Sequence, residues 1–153
     1  MPESFDVSRE SVSRSTHFYR KVQEKLGTSG VRSDKDLAGL VEKRLPASTV
    51  KALVRGGLSD NEIFRLVIPR RTLAHRIARR EPLSRDESDR AVRLARTAAL
   101  AEQVFANSDR SWQWMRQAKR RFAGRSPLEL LETEAGARLV EELLYQIDDG
   151  MVA

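Results

Sequence analysis

Apolar positions along the chain recur at three- and four-residue intervals rather than in alternation, and the longest such run lies between 85 and 106. There Ala91, Leu94, Ala98, Ala101 and Phe105 follow i, i+3, i+4 spacing, while Val92, Ala95, Ala99, Leu100 and Val104 fill the neighbouring directions. A helix that is apolar nearly all round is central and buried, and its small alanines let other helices approach closely. A narrower stripe, Leu139, Val140, Leu143, Leu144 and Ile147, marks a helix with one core-facing side. Ile63, Leu66 and Val67 give a short helix its apolar face. Between 70 and 80, at 100° per residue, Leu73, Ala74, Ile77 and Ala78 fall on one side and Arg71, Thr72, His75, Arg76 and Arg79 on the other. The apolar side is expected to pack and the basic side to face outward.

Start signals sharpen these elements. Ser59-Asp-Asn-Glu62, Ser84-Arg-Asp-Glu87 and Ser126-Pro-Leu-Glu129 each match the capping box, in which a hydroxyl and a carboxylate three residues on satisfy free amides at a helix start. Pro69, Pro82 and Pro127 suit first turns or breaks, because proline lacks the amide a helix interior needs. The pattern predicts an all-α fold with helices near 16–26, 34–44, 47–55, 59–66, 70–80, 85–106, 109–122, 127–131 and 134–148. The first fifteen or so residues, rich in Ser, Arg and Glu, read as a mobile tail.

Composition adds exclusions. The 153 residues are 40% hydrophobic and 33% charged, as in an ordinary globular protein, and contain no cysteine, so disulfides and thiolate metal sites are ruled out. No run approaches the ~18 apolar residues of a membrane span and the N-terminus lacks a signal-peptide core, which points to a cytoplasmic protein. The net charge of +6 is unevenly spread: 10 basic against 4 acidic residues in 65–96, 6 against 2 in 97–125, and 1 against 7 in 126–153. A basic middle and an acidic end suit two surfaces with different partners, although a self-neutralising fold gives the same counts.

The basic middle has a centre. Pro69 to Arg80, PRRTLAHRIARR, holds five arginines and one histidine without an acid. A short helix, the Ile68-Pro69 turn and a second helix with an Arg, Thr and His face are the parts that place side chains in a major groove. Arginine bonds guanine O6 and N7, threonine touches a thymine methyl, and flanking arginines hold phosphate. Arg70, Arg71, Thr72, His75, Arg76 and Arg79 are therefore the candidate DNA-binding residues. A solvated face on a basic protein has the same composition, and the usual turn glycine is missing. A single short recognition helix gives little operator affinity, so a homodimer on symmetric half-sites is expected.

The acidic end carries a second signal. Asp148 and Asp149 sit where a helix C-terminus disfavours negative charge, and Gly150 supplies a left-handed cap. Acids so placed suit an external basic partner such as a phosphate-binding pocket, although a frayed solvated terminus also fits. Trp112 and Trp114 flank Gln113 and cannot both point the same way on a helix. One belongs to the core and the other to an interface.

Three stretches, IPRRTLAHRIARREPLSRDESDRAVRLAR, then WM at 114–115, then GRSPLELLETEAGARLVEELLYQIDDG, resemble the Xre/MbcA/ParS antitoxin family. The C-terminal series Gly124, Pro127, Leu128, Leu131, Thr133, Gly136, Val140 and Gly150 is its specific part. The loop RQAKRRFAG is more basic than the family's pattern. The resemblance implies a type II antitoxin that neutralises an NAD-consuming RES-domain toxin by covering its active site and represses its own operon. It implies a helix-turn-helix region over 45–107 and a toxin-binding region over 108–153, and leaves residues 1–44, a tail and helices, without an assigned role. Trp114 takes the family's packed position, which leaves Trp112 exposed. Trp112, Glu141, Tyr145, Asp148, Asp149, Gly150, Met151 and Val152 are the candidate toxin-binding residues. The competing reading is a helical transcription regulator without a toxin, its C-terminal part serving dimerisation or ligand sensing. Neither needs a cofactor or metal. Catalysis finds little support: His17 and His75 lie far apart, HExxH, GxSxG and P-loop spacings are absent, and Glu141 and Glu142 diverge by 100°.

Overall fold

The computed structural model describes residues 3–151, with side chains from Ser8 onward, and every regular element among them is helical. The helices are α1 (Glu3–Leu26), α2 (Asp34–Lys43), α3 (Thr49–Arg55), α4 (Asp60–Leu66), α5 (Arg70–Ala78), α6 (Arg85–Phe105), α7 (Ser108–Arg116), α8 (Pro127–Leu130) and α9 (Glu134–Asp148), with a 3₁₀ turn at Arg120–Phe122. All three expected capping boxes form, at Ser59, Ser84 and Ser126.

The reason α6 lies at the centre is its sequence. Ala91, Leu94, Ala95, Ala99 and Ala101 are at most 1% exposed, and α1, α2, α7 and α9 all pack on this helix. The alanine Cβ atoms bring neighbouring axes close, and Val22, Leu26, Met115, Val140 and Leu144 fill the spaces between them. The result is one continuous core running from α1 to α9. The side of α9 made by Val140, Leu143 and Leu144 is buried and Ile147 is half-buried, but Leu139 is half exposed and lies outside the core.

Two segments depart from the sequence reading. The expected N-terminal tail is helical from Glu3, although Ser8 to His17 are all exposed. No glycine or proline interrupts Glu3–Leu26, so the helix nucleated by the buried Val22–Leu26 end propagates outward. Arg14 then anchors it, donating to Asp148 Oδ2 at 2.7 Å and accepting at its carbonyl from Gln103 Nε2 at 3.2 Å. The other departure is in 109–122, where α7 stops at Arg116 because Gln117 is extended and the chain closes a loop on itself. The Lys119 amide donates to the Arg125 carbonyl, and the Gly124 amide to the Lys119 carbonyl. This brings Phe122 into the core, which a continuing helix would not do.

Gly57 joins α3 to α4 with φ at 123°, and its missing Cβ is the space the Trp112 indole occupies. Gly57→Ala combines a disfavoured backbone with a clash against a buried ring. It should lower unfolding free energy by at least about 1–3 kcal/mol in urea titration; a change within ~0.5 kcal/mol would mean that the indole is not held there.

Candidate nucleic-acid and partner interfaces

Helices α4 and α5 form a tight pair. Ile63, Leu66, Val67 and Ile68 are all buried, and Pro69 ends the turn with φ at −60° and caps α5. Turn residues Val67 and Ile68 anchor in the core, which takes the place of the usual glycine. No residue of α5 is itself fully buried.

The face of α5 that turns inward differs from the expected one. Thr72, Leu73 and Arg76 are half-buried, whereas Ala74, Ile77 and Ala78 are exposed with Arg70, Arg71, His75 and Arg79. The helix is thus turned by roughly 120° from the apolar-in orientation. The cause is an ionic buckle. Arg76 Nε and Nη2 donate to Glu87 at 3.2 and 3.3 Å, and its Nη1 donates to Glu81 at 3.2 Å. Glu87 also receives the Ser84 amide in the α6 capping box, so one carboxylate fixes both the start of α6 and the rotation of α5. Burial would raise the Glu87 carboxyl, but the bonds from Arg76 and the Ser84 amide outweigh it and hold it below the ordinary carboxylate range.

Other ion pairs account for much of the uneven charge. Arg65 pairs with Glu129 and Glu132, Arg93 with Glu134, and Arg96 with Glu134 and Glu141. These bridges tie the basic middle to the acidic end within one molecule. In 65–96 the arginines without an acid partner among the described residues are Arg70, Arg71, Arg79, Arg80 and Arg90, four of them on or next to α5. In 126–151 the corresponding acids are Glu142 and Asp149.

The candidate partner residues spread over the far end. Tyr145 and Met151 are 56% and 73% exposed, and Asp149 is exposed with no ion-pair partner among the described residues. Gly150, with φ at 73°, closes α9: its amide bonds the Ile147 carbonyl, and the Met151 amide bonds that of Gln146. Glu141 is engaged by Arg96 and Asp148 by Arg14. Val152 lies outside the described residues. An open groove of about 760 Å³ runs between α1, α6 and α9, with Arg14, Tyr19, Arg96, Tyr145 and Asp149 on its walls.

The two tryptophans exchange roles. Trp112 is 7% exposed, donates from Nε1 to the Gly56 carbonyl at 3.2 Å, and lies under the Arg116 guanidinium. Trp114 is the half-buried one, tilted against Phe105 at 5.5 Å with Lys119 over its ring. The expectation of an exposed Trp112 is corrected, because a buried Trp112 fills the space at Gly57. Arg116 extends this contact, donating to the Gly57 carbonyl and to both oxygens of Glu62. Sequence inspection missed Glu62, Glu87, Arg93, Arg96 and Arg116 as struts; the two capping-box glutamates were visible in it, but their pairing with Arg116 and Arg76 was not.

A helix-turn-helix pair with an exposed basic helix, followed by a helical C-terminal part, is the arrangement of a helical DNA-binding-type regulator. Residues 36–96 match the antitoxin Xre-like helix-turn-helix domain, and residues 100–150 match the antitoxin Xre/MbcA/ParS C-terminal toxin-binding domain. The chain is 38% identical over 136 residues to an antitoxin Xre of Pseudomonas putida, covering 88% of this chain and 85% of that protein. It is 27% identical to a Prs ADP-ribosylating antitoxin of Sphingobium sp., covering 77% and 81%, and 28% identical to an antitoxin Xre of Photorhabdus laumondii, covering 76% and 81%. The chain belongs to the Xre/MbcA/ParS antitoxin family, as its sequence indicates, and is an antitoxin of a toxin-antitoxin system with a helix-turn-helix domain.

The Glu87 buckle has a pH signature. Its folded carboxyl titrates lower than in the unfolded chain, so its stabilisation is present above the unfolded value and lost as pH falls through the folded one. Thermal unfolding followed from pH 7 to pH 3 should therefore show a smaller acid loss for Glu87→Gln than for wild type. Equal acid losses would show that the buckle contributes nothing.

Proposed function

We propose that this antitoxin neutralises a RES-domain toxin by covering its NAD site with the end of α9, and represses its own operon by placing α5 in the major groove. The observation that supports the division most is where unpaired charge remains once the internal ion pairs are counted. Among the described residues of 65–96 it is cationic and concentrated at α5, and in 126–151 the unpaired acids are Glu142 and, at the tip, Asp149. Arg70, Arg71, His75 and Arg79 are the DNA-facing residues in this reading; Thr72 and Arg76 face inward. A homodimer, formed through a face other than the mutually repelling α5 surfaces, presents two such helices to half-sites.

Tyr145, Asp149, Gly150 and Met151 form the exposed inhibitory tip. Asp148 and Glu141 join it only if a toxin cation displaces Arg14 or Arg96. A relative whose name couples antitoxin to ADP-ribosylation supports a partner that handles the ADP-ribose part of NAD. The chain is then an inhibitor and not a catalyst.

Two variants test this. Replacing Arg70, Arg71 and Arg79 together by alanine should remove operator binding, flattening the salt dependence by about 0.9 per lost phosphate contact in log–log slope, while toxin inhibition persists. Truncation after Ile147 should leave a complex with the neighbouring gene's toxin but restore its NAD turnover. Full inhibition by the truncated chain would move the inhibitory contact elsewhere on α9, and lost inhibition in the folded arginine variant would end the two-surface reading.

A further inference from the structure

The centre of the exposed α5 face is not basic. Ala74 and Ala78, one turn apart, lie between Arg71 and His75 on one side and Arg70 and Ile77 on the other, and all six are exposed. Ile77 is 56% exposed, an apolar side chain left in water on an otherwise cationic helix. The long central cation is withdrawn, because Arg76 is bound by Glu81 and Glu87. A second copy of the same face fits poorly here. Arg70, Arg71, Arg79 and Arg80 have no acid partner among the described residues and would meet their own like charges. A polyanion whose surface also offers small apolar groups fits both features. In the major groove that group is the thymine C5-methyl.

Resting on the reading of α5 as the DNA-contacting helix, we propose that Ala74, Ile77 and Ala78 determine operator specificity by packing against thymine methyls, with Arg71 and His75 contacting the adjoining base edges. Two side chains that end at Cβ let the helix backbone approach the groove floor, which longer residues would hold away. Ile77 then covers a methyl at the flank and is itself removed from water. The sites bound should be rich in A·T pairs at their centre, with guanine confined to the position reached by Arg71.

The test selects binding sites from a pool of random duplexes with the full-length protein. Each thymine of the selected site is then replaced in turn by deoxyuridine, which lacks only the methyl. One or two positions should lose about four-fold in affinity each, the increment expected for one buried methyl. Ile77→Ser should abolish the thymine preference at one of them, while affinity for random duplex stays within about two-fold because the phosphate contacts remain. Ala74→Gln should weaken the selected site at every position by holding the helix away, with circular dichroism unchanged since Ala74 is exposed. A well-defined selected site that tolerates deoxyuridine throughout would overturn the methyl contacts and leave DNA binding by α5 standing. A pool in which no sequence is enriched would overturn that underlying reading and this inference with it.

Discussion

Close packing on α6 is the constraint from which the remaining arrangement follows. Its alanines let four helices share one axis-to-axis neighbourhood, so the N-terminal helices, the helix-turn-helix pair and the C-terminal domain meet in one core. Glu87 and Ser84 at its first turn set the rotation of α5, and Arg93 and Arg96 on its flank hold α9. A small cavity in α6 would therefore be felt at both functional ends. Trp112 and Arg116 add a second connection, from α7 to the turn between α3 and α4.

That scaffold also determines which charges are left for partners. An exposed pair such as Arg65–Glu132 contributes little to stability, about 0–1 kcal/mol, whereas Arg76–Glu87 and Arg93–Glu134 are partly shielded from water. The larger effect of these pairs is subtraction. By engaging Arg65, Arg76, Arg93 and Arg96 they leave the unpaired arginines of 65–96 mostly on or next to α5, and by engaging Glu129, Glu132, Glu134 and Glu141 they leave Glu142 and Asp149 as the unpaired acids of 126–151 among the described residues. The Arg14–Asp148 pair places α1 beside the end of α9.

Helix existence, the three capping boxes and the buried character of α6 were legible because each is a local pattern with a local cause. The family was legible too, through the ordered series ending at Gly150. The rotation of α5 was not. Its nine residues hold only one leucine and one isoleucine besides two alanines, so apolar periodicity is weak, and a half-buried arginine with two carboxylate partners outweighed it. The roles of Trp112 and Trp114 depended on a space at Gly57, fifty-five residues away in sequence, which no local pattern reveals. The Arg–Glu struts are long-range as well, pairing residues from separate helices, and the charge counts alone fit two free surfaces as well as one neutralised fold.

Equilibrium unfolding in urea, followed by tryptophan fluorescence and far-ultraviolet circular dichroism, tests the single shared core most directly. The two tryptophans lie in α7, whereas dichroism reports every helix. One transition is expected, with the same midpoint by both probes, that shifts as a unit in Leu94→Ala. Separate midpoints, with fluorescence lost while the helix-turn-helix signal persists, would contradict it.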